Sequence, residues 1–249
     1  MIQSENKRFQ AVFFDYGGTL YDYASDREAH LETAGMILER FGIAGDPAGF
    51  EEEYTRHLWH EYTHGMGTTT IRGQDVSNHC LIQTLGKFGI DRVTREDLEW
   101  FEETTIINHC RLVRLYPDAV DTLKSCRGMG YHLGVISDFD HDFLMRLMEA
   151  HGVIRYFDSI TCSEKAGALK PHRKIFDEAF LKAGDVSPVK SFYVGDNPRR
   201  DMMGAKQYGM STIFMDVGMN PDGYRQYIDY SINHLGDMIP VVTGPAPGK

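Results

Sequence analysis

Between residues 132 and 215, short apolar runs alternate with helix-length segments, and that alternation leaves few folds open. His132–Ser137, Ile160 with its neighbours, Phe192–Gly195 and Met210–Met215 each have the length and the β-branched or aromatic character of a buried strand. Phe143–Ala150, Arg173–Ala183 and Arg199–Tyr208 lie between them and carry apolar residues at helical spacing. Strands separated by helices form a parallel sheet covered on both faces. A further run, Ala11–Phe14, belongs to the same sheet. The expected fold class is α/β, with a Rossmann-like parallel sheet and helices on both faces.

The stretch from Ala24 to Arg111 breaks the alternation, with helices, loops and no convincing strand. Ser25 with Glu28 reads as a capping box, and Leu31, Ala34, Ile37, Leu38 and Phe41 continue that helix to a stop at Gly42. Further helices are expected at Pro47–His64, Gln74–Phe88 and Thr94–Cys110, the last with a capping signal from Thr94 and Asp97. A polar loop, Gly65–Gly73, separates two of them. The expected organisation is a sheet-bearing core from residues 1–23 and 112–249, with a helical domain, 24–111, inserted after the first strand. The tail from Thr243 to Lys249 is expected to fray.

Charge and composition narrow the partners. The chain has 249 residues and a formal net charge of −10, which disfavours a nucleic-acid backbone or an anionic membrane surface. No apolar stretch approaches the roughly 20 residues that span a bilayer, and the N-terminus lacks the apolar core of a signal peptide. Cys80, Cys110, Cys126 and Cys162 are scattered, as reduced structural thiols are. A cytoplasmic protein with a small-molecule partner is expected, its oligomeric state open.

The polar groups at the strand ends carry the chemistry. Ala11–Phe14 runs into Asp15, and Gly17-Gly18 then lets the backbone turn sharply. Gly134–Ile136 ends in Ser137, followed by Asp138; Lys170-Pro171 precedes a helix; Phe192–Gly195 runs into Asp196, with Asp201 following. In a parallel sheet these ends converge on one edge. Asp15, Asp196 and Asp201 would repel one another unless a hard cation such as Mg²⁺ neutralised them. Lys170, Ser137 and backbone N–H groups could then hold the oxygens of a phosphoryl group.

These segments, in this order, resemble the haloacid dehalogenase-like superfamily. Its four motifs correspond to Ala11–Leu20, Gly134–Ser137, Lys170-Pro171 and Gly195–Asp201. The resemblance implies a nucleophilic Asp15 that becomes phosphorylated, and Mg²⁺ held by Asp15, the Gly17 carbonyl and Asp196, with Asp201 supporting the metal or Lys170. It implies that Ser137 and Lys170 bind the transferring phosphoryl group of a small phosphorylated metabolite. Gly18, Thr19 and Asp138 are expected beside the substrate. The helical insertion sits where the family places a cap, and Arg72 within it is the expected specificity residue, a fork suited to a carboxylate or phosphate.

One position departs from the pattern. The family's phosphatases carry a second acid two residues after the nucleophile, for protonating the leaving group, and this chain has Gly17 there. General acid catalysis contributes roughly 10²–10⁴-fold. The expectation is a specialised phosphatase favouring stabilised leaving groups, or one borrowing an acid, with Asp22, Asp138, Asp140 and His141 as candidates. Two alternatives stand beside it: a metal-independent 2-haloacid-type dehalogenase using Asp15, and a weakly active or non-catalytic binding protein on the same fold. His60-Glu61-Tyr62-Thr63-His64 matches the zinc pattern H-E-x-x-H, but it ends at a helix stop without an evident third ligand and reads as coincidence.

Overall fold

The computed structural model describes residues 9–64 and 71–244. Six strands form one sheet: β1 (Ala11–Phe14), β2 (His132–Ser137), β3 (Ser159–Cys162), β4 (Ser191–Gly195), β5 (Ser211–Met215) and β6 (Tyr230–Ile232). They lie in the order β3-β2-β1-β4-β5-β6, every neighbouring pair parallel. The chain leaves β1 for β2 on one side and returns to β4 on the other. The strand order therefore reverses at β1, and the carboxyl ends at such a reversal are where open parallel sheets place their ligands. Three-residue β6 has no counterpart among the sequence-derived strands; it is too short to show a period.

The core follows from strand alternation. Ala11 and Phe13 join Ile136, Tyr193 and Phe214 in one apolar cluster with Ile175, Phe176, Ala179 and Phe180 of α8 (Arg173–Ala183). Met202 and Ala205 belong to the same cluster. Val12 and Phe14 point to the opposite face and are also fully buried, as a sheet covered on both sides requires. The helix expected at Arg199–Tyr208 begins as a π-helical turn, Pro198–Met203, capped by the Asn197 side chain, and continues as α9 (Gly204–Tyr208).

The chain divides into two compact units. The first contains the sheet and consists of the described residues up to Asp22, then Leu115–Asp138, then Gly152 onward. The second, Tyr23–Arg114 with Phe139–His151, is all helical: α1 (Tyr23–Arg40), α2 (Pro47–His64), α3 (Gly73–Lys87), α4 (Arg95–Leu112) and α6 (His141–Ala150). The remaining helices, α5 (Ala119–Gly128), α7 (Ser163–Ala166) and α10 (Met238–Thr243), belong to the sheet unit. The core of the helical unit joins Ala34, Ile37 and Leu38 to Phe50, Tyr54, Leu81, Leu85 and Phe101. None of the described helices is long and apolar enough to cross a membrane.

Two helix starts differ in how they match expectation. Thr94 and Asp97 form a complete capping box on α4, each side chain bonding the other residue's backbone N–H. Ser25 and Glu28 do not: α1 begins at Tyr23, which places Ser25 inside the helix. Ser25 Oγ accepts from the Arg114 N–H at 3.0 Å, and Glu28 pairs with the Arg114 guanidinium at 2.8 Å. A tertiary partner displaces the local cap. The polar loop expected at Gly65–Gly73 lies outside the described residues up to position 70, as does the tail beyond 244.

Candidate active site

Register sets where the polar groups emerge. Phe14 pairs with Val135 on one side and Val194 on the other, so Asp15 leaves β1 between the ends of β2 and β4. Its backbone N–H still donates to the Val194 carbonyl at 2.9 Å, which holds the residue at the sheet edge. The chain then reverses through Gly18, whose φ of 70° is in the left-handed region that glycine tolerates. The turn buries Thr19 completely and lets its Oγ1 donate to Asp196 Oδ1 at 3.2 Å. Gly17 makes an isolated bridge with Tyr21 in the same turn.

Ser137 and Lys170 converge on one oxygen of Asp15. Ser137 Oγ donates to Oδ1 at 2.9 Å, and Lys170 Nζ lies 2.9 Å from the same atom. Lys170 also donates to Asp201 Oδ1 at 2.6 Å and to the Tyr193 hydroxyl at 3.1 Å, so all three ammonium hydrogens have acceptors. Asp201 is fully buried; its Oδ2 accepts the Asn197 N–H at 2.9 Å and its Oδ1 also lies 3.1 Å from Tyr193. The same geometry accounts for the glycine at the head of the Gly195–Asp201 motif. A Cβ there would come within 2.6 Å of the Asp201 carboxyl, so only glycine lets the acid reach this position.

Tyr193 is absent from the sequence-derived candidates. Its ring packs in the sheet core, and its hydroxyl lies 2.9 Å from the Ile136 carbonyl while receiving the Lys170 ammonium. In the sequence it is one more aromatic residue of a buried strand. The one available signal was a hydroxyl in an otherwise apolar run, which must find a partner when buried.

The electrostatics follow from burial. Burial alone would lower the Lys170 pKa, but the Asp15 and Asp201 carboxylates more than offset it and hold the ammonium well above its usual value. Burial raises Asp201, opposed by Lys170 and reinforced by the nearby Asp15 charge. Asp138 is also pushed up by burial, against the pull of Lys170 and Arg200. Its oxygens accept the Lys170 backbone N–H at 2.9 Å and the Arg200 guanidinium at 3.2 Å.

The donor set suits a hard divalent cation. Ligand oxygens of Asp15, Asp196 and Asp201 lie within 4.8 Å of one another. Three carboxylates against one ammonium leave two negative charges to be balanced, and the donors are all oxygen, as Mg²⁺ prefers. Asp201 has both oxygens engaged by Lys170, Tyr193 and Asn197, whereas Asp15 keeps Oδ2 clear of hydrogen bonds among the described residues.

The remaining candidates sit as follows. Arg72 belongs to the helical unit, just before α3, and pairs there with Asp75 at 3.8 Å and Glu102 at 3.7 Å. Of the possible surrogate acids, Asp140 caps α3 by accepting the N–H groups of Gly73 and Gln74 at 2.9 and 2.8 Å. Asp138 is tied to Lys170 and Arg200 as described above.

Comparison with known proteins sets this arrangement in context. The sequence model of a family described as haloacid dehalogenase-like hydrolase matches residues 50–215. A glyceraldehyde 3-phosphate phosphatase of Methanopyrus kandleri is 28% identical over 94% of this chain and 97% of its own length. An (S)-2-haloacid dehalogenase 4A of Burkholderia cepacia is 24% identical over 94% of each. The crystal structure of a HAD phosphatase from Thermococcus onnurineus superposes with a TM-score of 0.68 at 22% identity, covering 96% of this chain and all of that one.

Proposed function

Since this chain belongs to the haloacid dehalogenase-like hydrolases, we propose that it is a Mg²⁺-dependent phosphohydrolase of a small phosphorylated metabolite. The observation that carries the reading is the cluster at the strand ends: Asp15 held through Oδ1 by Ser137 and Lys170, with Asp196 and Asp201 beside it. In this reading the sheet unit is the catalytic core, and the helical unit is the cap that selects the substrate, with Arg72 contributing.

Asp15 attacks phosphorus, and its link to the phosphoryl group forms as the leaving oxygen departs. Lys170 keeps Asp15 anionic and, with Ser137 and the N–H groups of the Gly18–Thr19 turn, binds the phosphoryl oxygens. Asp15, the Gly17 carbonyl and Asp196 would hold Mg²⁺, and Asp201 positions Lys170. The ion supplies charge neutralisation that lets a dianionic substrate approach a carboxylate. Water then releases phosphate and restores Asp15.

Gly17 shapes the choice of substrate. With no carboxyl two residues after Asp15, a leaving group that departs as a stabilised anion is turned over faster than a simple alkoxide. That bears on the phosphatase relatives, whose named substrate, glyceraldehyde 3-phosphate, belongs in the test panel.

The test is phosphate release from p-nitrophenyl phosphate and from glyceraldehyde 3-phosphate, with and without Mg²⁺, by wild type, Asp15→Asn and Gly17→Asp. Mg²⁺-dependent turnover by wild type and none by Asp15→Asn supports the reading. Restored turnover of the alkyl ester by Gly17→Asp supports the leaving-group argument. Halide release from 2-chloropropionate without metal, and no phosphate release by any form, would replace it with the dehalogenase reading that one relative makes relevant.

A further inference from the structure

Helices α1 and α4 carry a second group of ligand-type side chains, which the proposed reaction does not use. Asp26 and His30 are one turn apart on α1 and share a face; His109 of α4 joins them, all three offering ligand atoms within 4.8 Å of one another. His109 Nε2 lies 3.6 Å from Asp26 Oδ1, and His30 Nε2 lies 3.6 Å from Asp26 Oδ2. The two imidazoles meet edge to face with centroids 4.9 Å apart.

The proton on His109 can be located from its other nitrogen. Nδ1 lies 2.7 Å from the Thr105 carbonyl. A carbonyl only accepts, so Nδ1 carries hydrogen, and in the neutral ring Nε2 is a bare lone pair. That lone pair faces a carboxylate across 3.6 Å, with the His109 side chain only 4% exposed. Two facing acceptors need positive charge between them. A proton on Nε2 would make an N–H···O bond, for which 3.6 Å is too long. A metal ion fits the spacing better, since two ligands at tetrahedral angles and about 2.0–2.1 Å from one ion lie about 3.3 Å apart. A backbone carbonyl on the far nitrogen is also how metal-binding imidazoles are oriented.

We propose that Asp26, His30 and His109 form a binding site for a divalent transition ion, represented by Zn²⁺, that ties α1 to α4 inside the helical unit. Two imidazoles and one carboxylate suit Zn²⁺ and its neighbours rather than Mg²⁺. Asp26 and His30 are partly exposed, which gives the ion an entry route and water a place as the fourth ligand. The same two helices already share the Asn108–Thr33 hydrogen bond of 3.0 Å, so the ion would reinforce an existing contact.

The experiment uses the full chain carrying Asp15→Asn and Asp196→Asn, which weakens competition from the core acids. After stripping with EDTA, it is titrated with Co²⁺ by visible absorption and with Zn²⁺ by calorimetry, and thermal unfolding is followed with and without Zn²⁺. One ion per chain is expected, with d–d bands of a four- or five-coordinate centre and a raised thermal midpoint. His30→Ala should weaken binding on the order of 100-fold or more, at least as much as loss of an orienting partner does. Asp26→Asn keeps the side-chain volume at a partly exposed position, so it should retain the apo fold and lose the ion. Equal Co²⁺ affinity in Asp26→Asn and its parent overturns the proposal. So does a parent that binds no ion at millimolar Co²⁺.

Discussion

Replacing Tyr193 with Phe removes a single oxygen atom from the centre of the candidate site and leaves the ring in the core. That oxygen receives the Lys170 ammonium at 3.1 Å and lies 2.9 Å from the Ile136 carbonyl and 3.1 Å from Asp201 Oδ1. Tyr193 is fully buried and the Lys170 side chain is 2% exposed, so water cannot readily replace the lost partner. A hydrogen bond to a charged group contributes about 1.5–3 kcal/mol and a neutral one about 1 kcal/mol. The ammonium keeps two acceptors, Asp15 and Asp201, which limits its own loss. The expected destabilisation is about 2–3 kcal/mol, or about 4–12 °C in thermal midpoint for a chain of this size. Urea unfolding followed by far-UV ellipticity is the assay. Trp59 and Trp100 both lie in the helical unit, so their fluorescence does not report directly on the sheet. A shift below about 0.5 kcal/mol, the scale of an ordinary surface substitution, would refute the reasoning. The hydroxyl would then be no part of the network that supports Lys170.

Other substitutions test other joints of the argument. Gly195→Ala places a methyl group 2.6 Å from the Asp201 carboxyl and should cost about 1–3 kcal/mol, measured by the same urea titration; wild-type stability would show that Asp201 moves freely. Thr94→Ala removes one half of the α4 capping box and should cost about 1 kcal/mol, read by Trp100 fluorescence on the same helix. Hydrogen bonds from Thr94 hold the Asp97 carboxyl below its usual pKa. A depressed acid stabilises the fold fully above its unfolded pKa of about 3.9 and loses that contribution as pH falls through the folded value. The difference between Thr94→Ala and wild type should therefore shrink on acidification below about pH 4, and a constant difference would count against the cap. Asp140→Ala leaves the Gly73 and Gln74 N–H groups without their carboxylate and should lower the stability of the helical unit by about 1–2 kcal/mol, by the same fluorescence titration.

The single chain of residues was enough to place the parallel sheet, because strands and helices announce themselves through local periodicity. It was also enough to nominate Asp15, Ser137, Lys170, Asp196 and Asp201, since a parallel sheet brings its carboxyl ends to one edge whatever the details of packing. The thirteen-residue segment His132–Leu144 shows where such reading stops. Asp138 and Asp140 both read as loop acids, yet one is held by Lys170 and Arg200 while the other caps a helix far along the chain. Ser25 and Glu28 spell a capping box, yet both are turned to Arg114. Tyr193 looks like core and also bonds the catalytic lysine candidate. H-E-x-x-H spells a zinc site, yet among the described residues the group with ligand spacing in the helical unit is Asp26, His30 and His109, drawn from two helices. In each case the residue type and its neighbours in sequence are the same in any fold, whereas its partner is chosen by which helix or strand packs opposite. Periodicity tells a side chain which face it is on; only the tertiary structure decides what that face meets.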